Sequence, residues 1–131
     1  MRHAWILVLA GCAAPDVISL RTEGALVLEV EVERAVTAAE RRAGLEGRDP
    51  LAAGHGLLLE FPVEDEVCIA NGGVDFGIDG IFLDASGLVT ALEREIPAGD
   101  PTVRCGRARW VLEVGSGAAA EVVPGAAAAG L

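Results

Sequence analysis

Hydrophobic and polar residues alternate most cleanly from Ala25 to Glu33. Leu26, Leu28, Val30 and Val32 interleave there with Val27, Glu29, Glu31 and Glu33. A period of two predicts a strand with one buried and one wet face. The in-line glutamates discourage pairing with the edge of another chain. Thr37-Ala38-Ala39-Glu40 follows with the spacing of a capping box. It predicts a short helix over Ala38 to Ala43, with Gly44 at its C′ position. Arg41 and Arg42 fall in the last turn, where the helix dipole favours cations. Asp49-Pro50 breaks the chain direction. Gly56 to Phe61 is an apolar run that Pro62 is expected to stop, and Val67 to Ala70 reads as another short strand. Asn71-Gly72-Gly73 is a turn signal. Ile81 to Leu83 and Leu88 to Leu92 flank Asp84-Ala85-Ser86-Gly87, the length and composition of a hairpin loop. Pro97 to Pro101 is loop. Arg109 to Val114 alternates again, with Trp110, Leu112 and Val114 on one face.

Many short strands at regular spacing predict a mainly β domain, an antiparallel β-sandwich or a small barrel. The strands follow one another too closely for helical crossovers. One short N-terminal helix is expected, and the Ala-rich stretch leaves room for a short C-terminal helix. The domain is placed at 25–125, with an Ala/Gly tail over 126–131.

The first twelve residues carry a different pattern. Arg2 precedes a short, mostly aliphatic run from Ala4 to Ala10, and Leu9-Ala10-Gly11-Cys12 follows. This matches a bacterial lipobox, in which small residues fit the signal peptidase and the Cys thiol takes up a diacylglyceryl group. Residues 1–12 therefore read as a lipoprotein-type signal peptide with Cys12 as the lipidation site. The run is at the short end of about 7–15 residues for such segments. Residues 13–24 read as a tether. A protein of this kind is exported and held on the bacterial envelope by its lipid, on the outer membrane or periplasmic face of a Gram-negative cell. Its membrane partner is reached through that N-terminal anchor.

Composition narrows the picture. Of 131 residues, 52% are hydrophobic but only 4% aromatic, so the core must come from Leu, Val, Ile and Ala. Twenty acidic residues against ten basic ones give a formal net charge of −10. Such a chain repels phosphate backbones and anionic bilayer surfaces, which argues against nucleic acid as a partner. Cys68 and Cys105 remain after the signal. In an oxidising compartment they can form a disulfide, and otherwise they are two small buried hydrophobes. No zinc-type Cys/His spacing and no phosphate loop occurs, so neither metal nor cofactor is expected.

Several segments together resemble a known family. In order they are Arg42 to Arg48, Gly56 to Phe61, Ile78-Asp79-Gly80-Ile81-Phe82-Leu83-Asp84 with Gly87 and Val89, and Trp110 to Val114. The prokaryotic domain of unknown function 192 (DUF192) has the pattern R-G-L-M-x-R, G-M-L-F, F-W-M-K-N-T, I-P-L-D-x-x-F-L-D, x-x-G-x-V and V-L-E. The match spans roughly Leu28 to Gly125. The resemblance implies a compact β domain, usually exported, with no established activity. The F-W-M-K-N-T block falls on Ile69-Ala70-Asn71-Gly72-Gly73-Val74, where its aromatic pair, Lys and Asn are missing at the matching positions.

The charged residues left in the resembling blocks are Arg48, Asp79 and Glu113. As a cluster they would bind a small polar ligand. The structural alternative, which is favoured, is a salt-bridge network that fixes the fold. Two paired carboxylates, Asp79 and Glu113, would suit a hydrolase. His55 between two glycines, and the acidic residues around Glu64-Asp65-Glu66, read as surface. No catalytic set stands out, so enzyme activity is not the expectation. The expected role is a non-enzymatic, lipid-anchored binding module for an envelope protein or small polar ligand. The alternatives are the hydrolase and a degenerate, purely structural family member.

Overall fold

A computed structural model describes residues 14–131. The segment expected to be a signal peptide, 1–12 with Cys12, lies outside the described residues.

The elements run β1 (Val17–Thr22), β2 (Ala25–Ala35), α1 (Ala38–Ala43), β3 (His55–Ile69), β4 (Ile78–Leu83), β5 (Val89–Ile96), β6 (Arg104–Gly115) and β7 (Ala127–Ala129). All seven strands share one sheet in the order β5-β4-β6-β3-β2-β1-β7. That sheet curls into a half-barrel. β7 pairs antiparallel with β1, and Leu88 forms a bridge to Ala127 just before β5. The Ala128 N–H donates to Gly87 O at 2.8 Å and the Val89 N–H to Ala126 O at 2.9 Å. The C-terminal segment is thus stitched to strands from both ends of the sheet, which leaves few open backbone groups there.

The protein is mainly β, as the alternation predicted, but the described residues form no second sheet and hence no sandwich. β2 and β3 also run parallel, Glu31 opposite His55 through Ala35 opposite Leu59, so the sheet is not wholly antiparallel. The connection between them, 36–54, is long enough for a crossover and carries α1. The stretch assigned to a tether is strand from Val17 onward. Ile18 and Leu20 are fully buried there, and Glu23 and Gly24, at φ 50° and 83°, make the tight turn into β2. A glutamate in the left-handed region is not a turn signal that a sequence displays. Pro62 does not stop β3. It sits where pairing with β6 shifts register, between Glu60 and Asp65, and a residue without an N–H is tolerated there.

No C-terminal helix forms among the described residues. Residues 116–121 make turns, and part of the presumed tail is β7. Alanine favours helix, but Gly115, Gly117, Pro124 and Gly125 interrupt the run, and Ala119, Val122 and Ala126 are needed in the core.

α1 is built as its sequence dictates. Thr37 Oγ1 accepts from the Glu40 N–H at 3.1 Å, and Glu40 Oε1 accepts from the Thr37 N–H at 2.9 Å. Gly44, at φ 50°, donates to Glu40 O.

Apolar side chains pack on both faces of the sheet. Ile18, Leu20, Leu58, Ile81, Leu112 and Val114 belong to one cluster. Leu57, Leu59, Ile69, Ile78, Phe82 and Val111 belong to the other. Central strands buried on both faces read as continuous apolar runs, which is why Gly56–Leu59 and Ile81–Leu83 show no alternation.

Candidate functional site

Arg48, Asp79 and Glu113 do not converge. Arg48 is exposed after α1 and pairs with Glu33 on β2. Asp79 and Glu113 lie on adjacent strands, but Glu113 stands opposite Gly80 and Asp79 opposite Val114. Successive side chains alternate across a sheet, so the two carboxylates point to opposite faces. Asp79 shares its face with Ile81 and Val114, and Glu113 shares its face with Phe82 and Val111. The salt-bridge network expected from the sequence is not formed, and neither is a carboxylate pair suited to hydrolysis.

Asp79 has a structural task. It is 1% exposed. Its Oδ2 accepts from the Gly117 and Ala119 N–H groups, both at 3.0 Å, and its Oδ1 from the Glu95 N–H at 2.7 Å. Glu95 sits in an irregularity of β5 at φ 51°, where the β4–β5 register shifts between Ile78 and Gly80. One side chain thus satisfies the amides of a strand irregularity and of the turn that follows β6.

Glu113 is different. It is 5% exposed, yet among the described residues its carboxyl has neither a hydrogen-bond partner nor a counter-ion. Burial alone pushes its pKa up to about 7, because the low-dielectric surroundings disfavour the charged form. It opens onto a cleft of about 500 Å³. One wall is α1 and the turn after it, with Arg41, Arg42 and Glu46. The opposite wall is β3 and the loop after it, with Leu59, Phe61, Ile69, Ala70, Gly72 and Gly73.

Two glycines let neighbouring segments pack closely here. A Cβ on Gly73 would meet Glu46 Cδ at 2.6 Å, and a Cβ on Gly80 would meet Ile69 Cδ1 at 2.7 Å. Arg41 is committed locally. It donates to the Glu60 carbonyl at 2.9 Å and to the Val36 carbonyl, and its guanidinium lies 4.9 Å from the Phe61 ring centroid. Arg42 is exposed.

Cys68 and Cys105 face each other across β3 and β6 and are joined by a disulfide beside the cleft. Asn71 is fully buried below the same loop. It donates to the Phe76 and Pro97 carbonyls at 3.0 and 2.9 Å and so holds the turn that carries Gly72 and Gly73. Among the described residues, no group of three or more His, Cys, Asp or Glu is placed to hold a metal ion.

Of the three residues singled out by sequence, only Glu113 belongs to this cleft. Arg41, Arg42, Glu46 and Phe61 were missed as lining groups. The two arginines read as helix-dipole partners, and the chemistry of a cleft wall has no local sequence signature. One signal did point here. The block Ile69 to Val74, where the chain departs from the family pattern, supplies much of the wall opposite α1.

Solved structures with the same fold extend the comparison. A crystal structure of a candidate transcription regulator from Sinorhizobium meliloti superposes with a TM-score of 0.84 at 23% identity, over 90% of this chain and 96% of that one. A protein of unknown function from Novosphingobium aromaticivorans gives a TM-score of 0.82 at 22% identity, over 92% and 95%. At these identities the likeness speaks for the fold alone. No curated protein matches the sequence. The model of the family described as an uncharacterized ACR, DUF192, matches residues 18–127, and the chain therefore belongs to the DUF192 family.

Proposed function

We propose that this protein is a lipid-anchored envelope domain that binds a small polar ligand without transforming it. The observation that carries the reading is the nearly buried Glu113 in the lining of the cleft. A buried carboxyl with no partner destabilises the fold. A ligand that satisfies it would remove that defect, and about 500 Å³ is within the range of small-molecule sites. Catalysis by paired carboxylates has no support, since Asp79 faces away and is saturated by backbone amides.

Anchoring rests on the Leu9-Ala10-Gly11-Cys12 motif. Mass spectrometry of the membrane fraction should find Cys12 as the acylated N-terminus, and Cys12→Ser should release the protein. An intact Met1 in that fraction would rule the anchor out. Binding is tested on the folded domain by NMR with mixtures of small polar compounds. Perturbed amides should cluster at Ile69 to Gly73, and the perturbation should vanish in Ala70→Trp, which fills the mouth from an exposed position. Perturbation that persists in Ala70→Trp would place binding elsewhere and refute the cleft.

A further inference from the structure

Resting on the cleft as a binding site, we infer that its ligand carries a protonated amine, which docks against the Glu113 carboxylate.

An ionised carboxylate only accepts hydrogen bonds, and an ammonium only donates them. Glu113 has no donor aimed at it from the described residues, so its full accepting capacity is open to a ligand. The pairing is also electrostatically apt, because two opposite charges in a water-poor site strengthen one another. A metal ion fits less well. Hard cations need several oxygen ligands, and among the described residues no group of three or more His, Cys, Asp or Glu is placed to supply them.

The other charged groups on the cleft are Arg41 and Arg42 of α1 and Glu46 of the turn after it. β3 brings Leu59 and Ile69 toward Glu113, and β4 brings Gly80, none of which titrates. Neither arginine lowers the Glu113 pKa, for burial is its one resolved cause. The guanidiniums therefore do not act as its counter-ion. The net charge of −10 adds a field that draws cations toward the protein. The apolar surface of Leu59, Phe61 and Ile69 leaves room for a hydrocarbon portion behind the amine.

Two sources share this chemistry. A plain amine carries only the ammonium. An amino acid or peptide N-terminus also carries a carboxylate or amide, for which exposed Arg42 is placed at the rim.

The test titrates n-butylamine, L-leucine, butyrate and n-butanol into the folded domain, followed by NMR at pH 6 and pH 8. n-Butylamine should perturb the Ile69 to Gly73 amides. Its affinity should tighten about tenfold from pH 6 to pH 8, following ionisation of a carboxyl with a pKa of about 7. Glu113→Gln should weaken it at least about tenfold, since the charge is removed at nearly constant shape. Ala70→Trp should block it as well. Tighter binding of L-leucine than of n-butylamine identifies the zwitterionic source, and the reverse identifies the plain amine. If butyrate or n-butanol binds the cleft as tightly as the amines, or if Glu113→Gln leaves n-butylamine binding unchanged, the cation is wrong while the cleft stands. If no probe perturbs the cleft, the binding-site reading falls with it.

Discussion

Asp79→Ala should lower folding stability by about 4 kcal/mol in chemical denaturation. The side chain accepts three backbone amides, two from the turn at Gly117 and Ala119 and one from Glu95. Hydrogen bonds to a charged group contribute about 1.5–3 kcal/mol each, and orphaned buried donors add their own desolvation penalty. The sum is less than threefold because the turn can partly rewet. Asp79→Asn keeps one carbonyl oxygen and should lose about half as much. Hydrogen exchange should show where the damage falls, with Gly117, Ala119 and Glu95 losing protection and the cleft amides unaffected. A loss below about 1 kcal/mol would mean that this carboxylate does not organise the turn.

Glu113→Gln should do the opposite, and its effect should depend on pH. The folded pKa is about 7 against an ordinary 4.5, so the folded protein holds the proton more tightly than the unfolded chain does. Stability from the neutral acid is fully present below pH 4.5. It declines as the pH rises toward 7 and is gone above that. The two values differ enough, at about 1.4 kcal/mol per pH unit, to amount to about 3–4 kcal/mol. Other carboxylates titrate over the same range, so the informative quantity is the difference between wild type and Glu113→Gln. That difference should be near zero at pH 4 and should favour the variant by about 3–4 kcal/mol at pH 8. Parallel stability curves for the two proteins would show that Glu113 is solvated or paired. A position that weakens the fold at neutral pH while opening onto a cleft is a typical signature of a site built for binding rather than for packing.

The sequence disclosed the elements that local chemistry controls. The capping box at Thr37 and Glu40, the α1 helix and the alternation of β2 all depend on neighbours in the chain. The first two form where their patterns lie, and β2 alternates cleanly from Glu29 to Glu33, whereas Leu26, expected on the buried face, is exposed. Elements set by distant partners were hidden. β1 has only two buried side chains, and its turn uses Glu23 in an unusual conformation. β7 is three alanines that are strand only because β1 and the segment before β5 bind them. The parallel pairing of β2 with β3 depends on how 36–54 returns, which no local pattern encodes. At the site, Asp79 and Glu113 stood out as charged residues left in the blocks that resemble the family. Their roles depend on the face each occupies, and a register decides that. Asp79 meets three amides on one side of the sheet, whereas Glu113 meets an opening on the other.

The pairing of β1 with β7 has a kinetic consequence. Ser19 stands opposite Ala129, so the first described strand is completed by one synthesised nearly a whole domain later. Contacts this distant in sequence make closure slow and late. A chain emerging N-terminus first, from a ribosome or through a translocation pore, holds Ile18 and Leu20 without their final neighbour until residue 129 is free. The domain therefore completes its sheet only after residue 129 has emerged, and β1 keeps one unpaired edge, a risk for aggregation, until then.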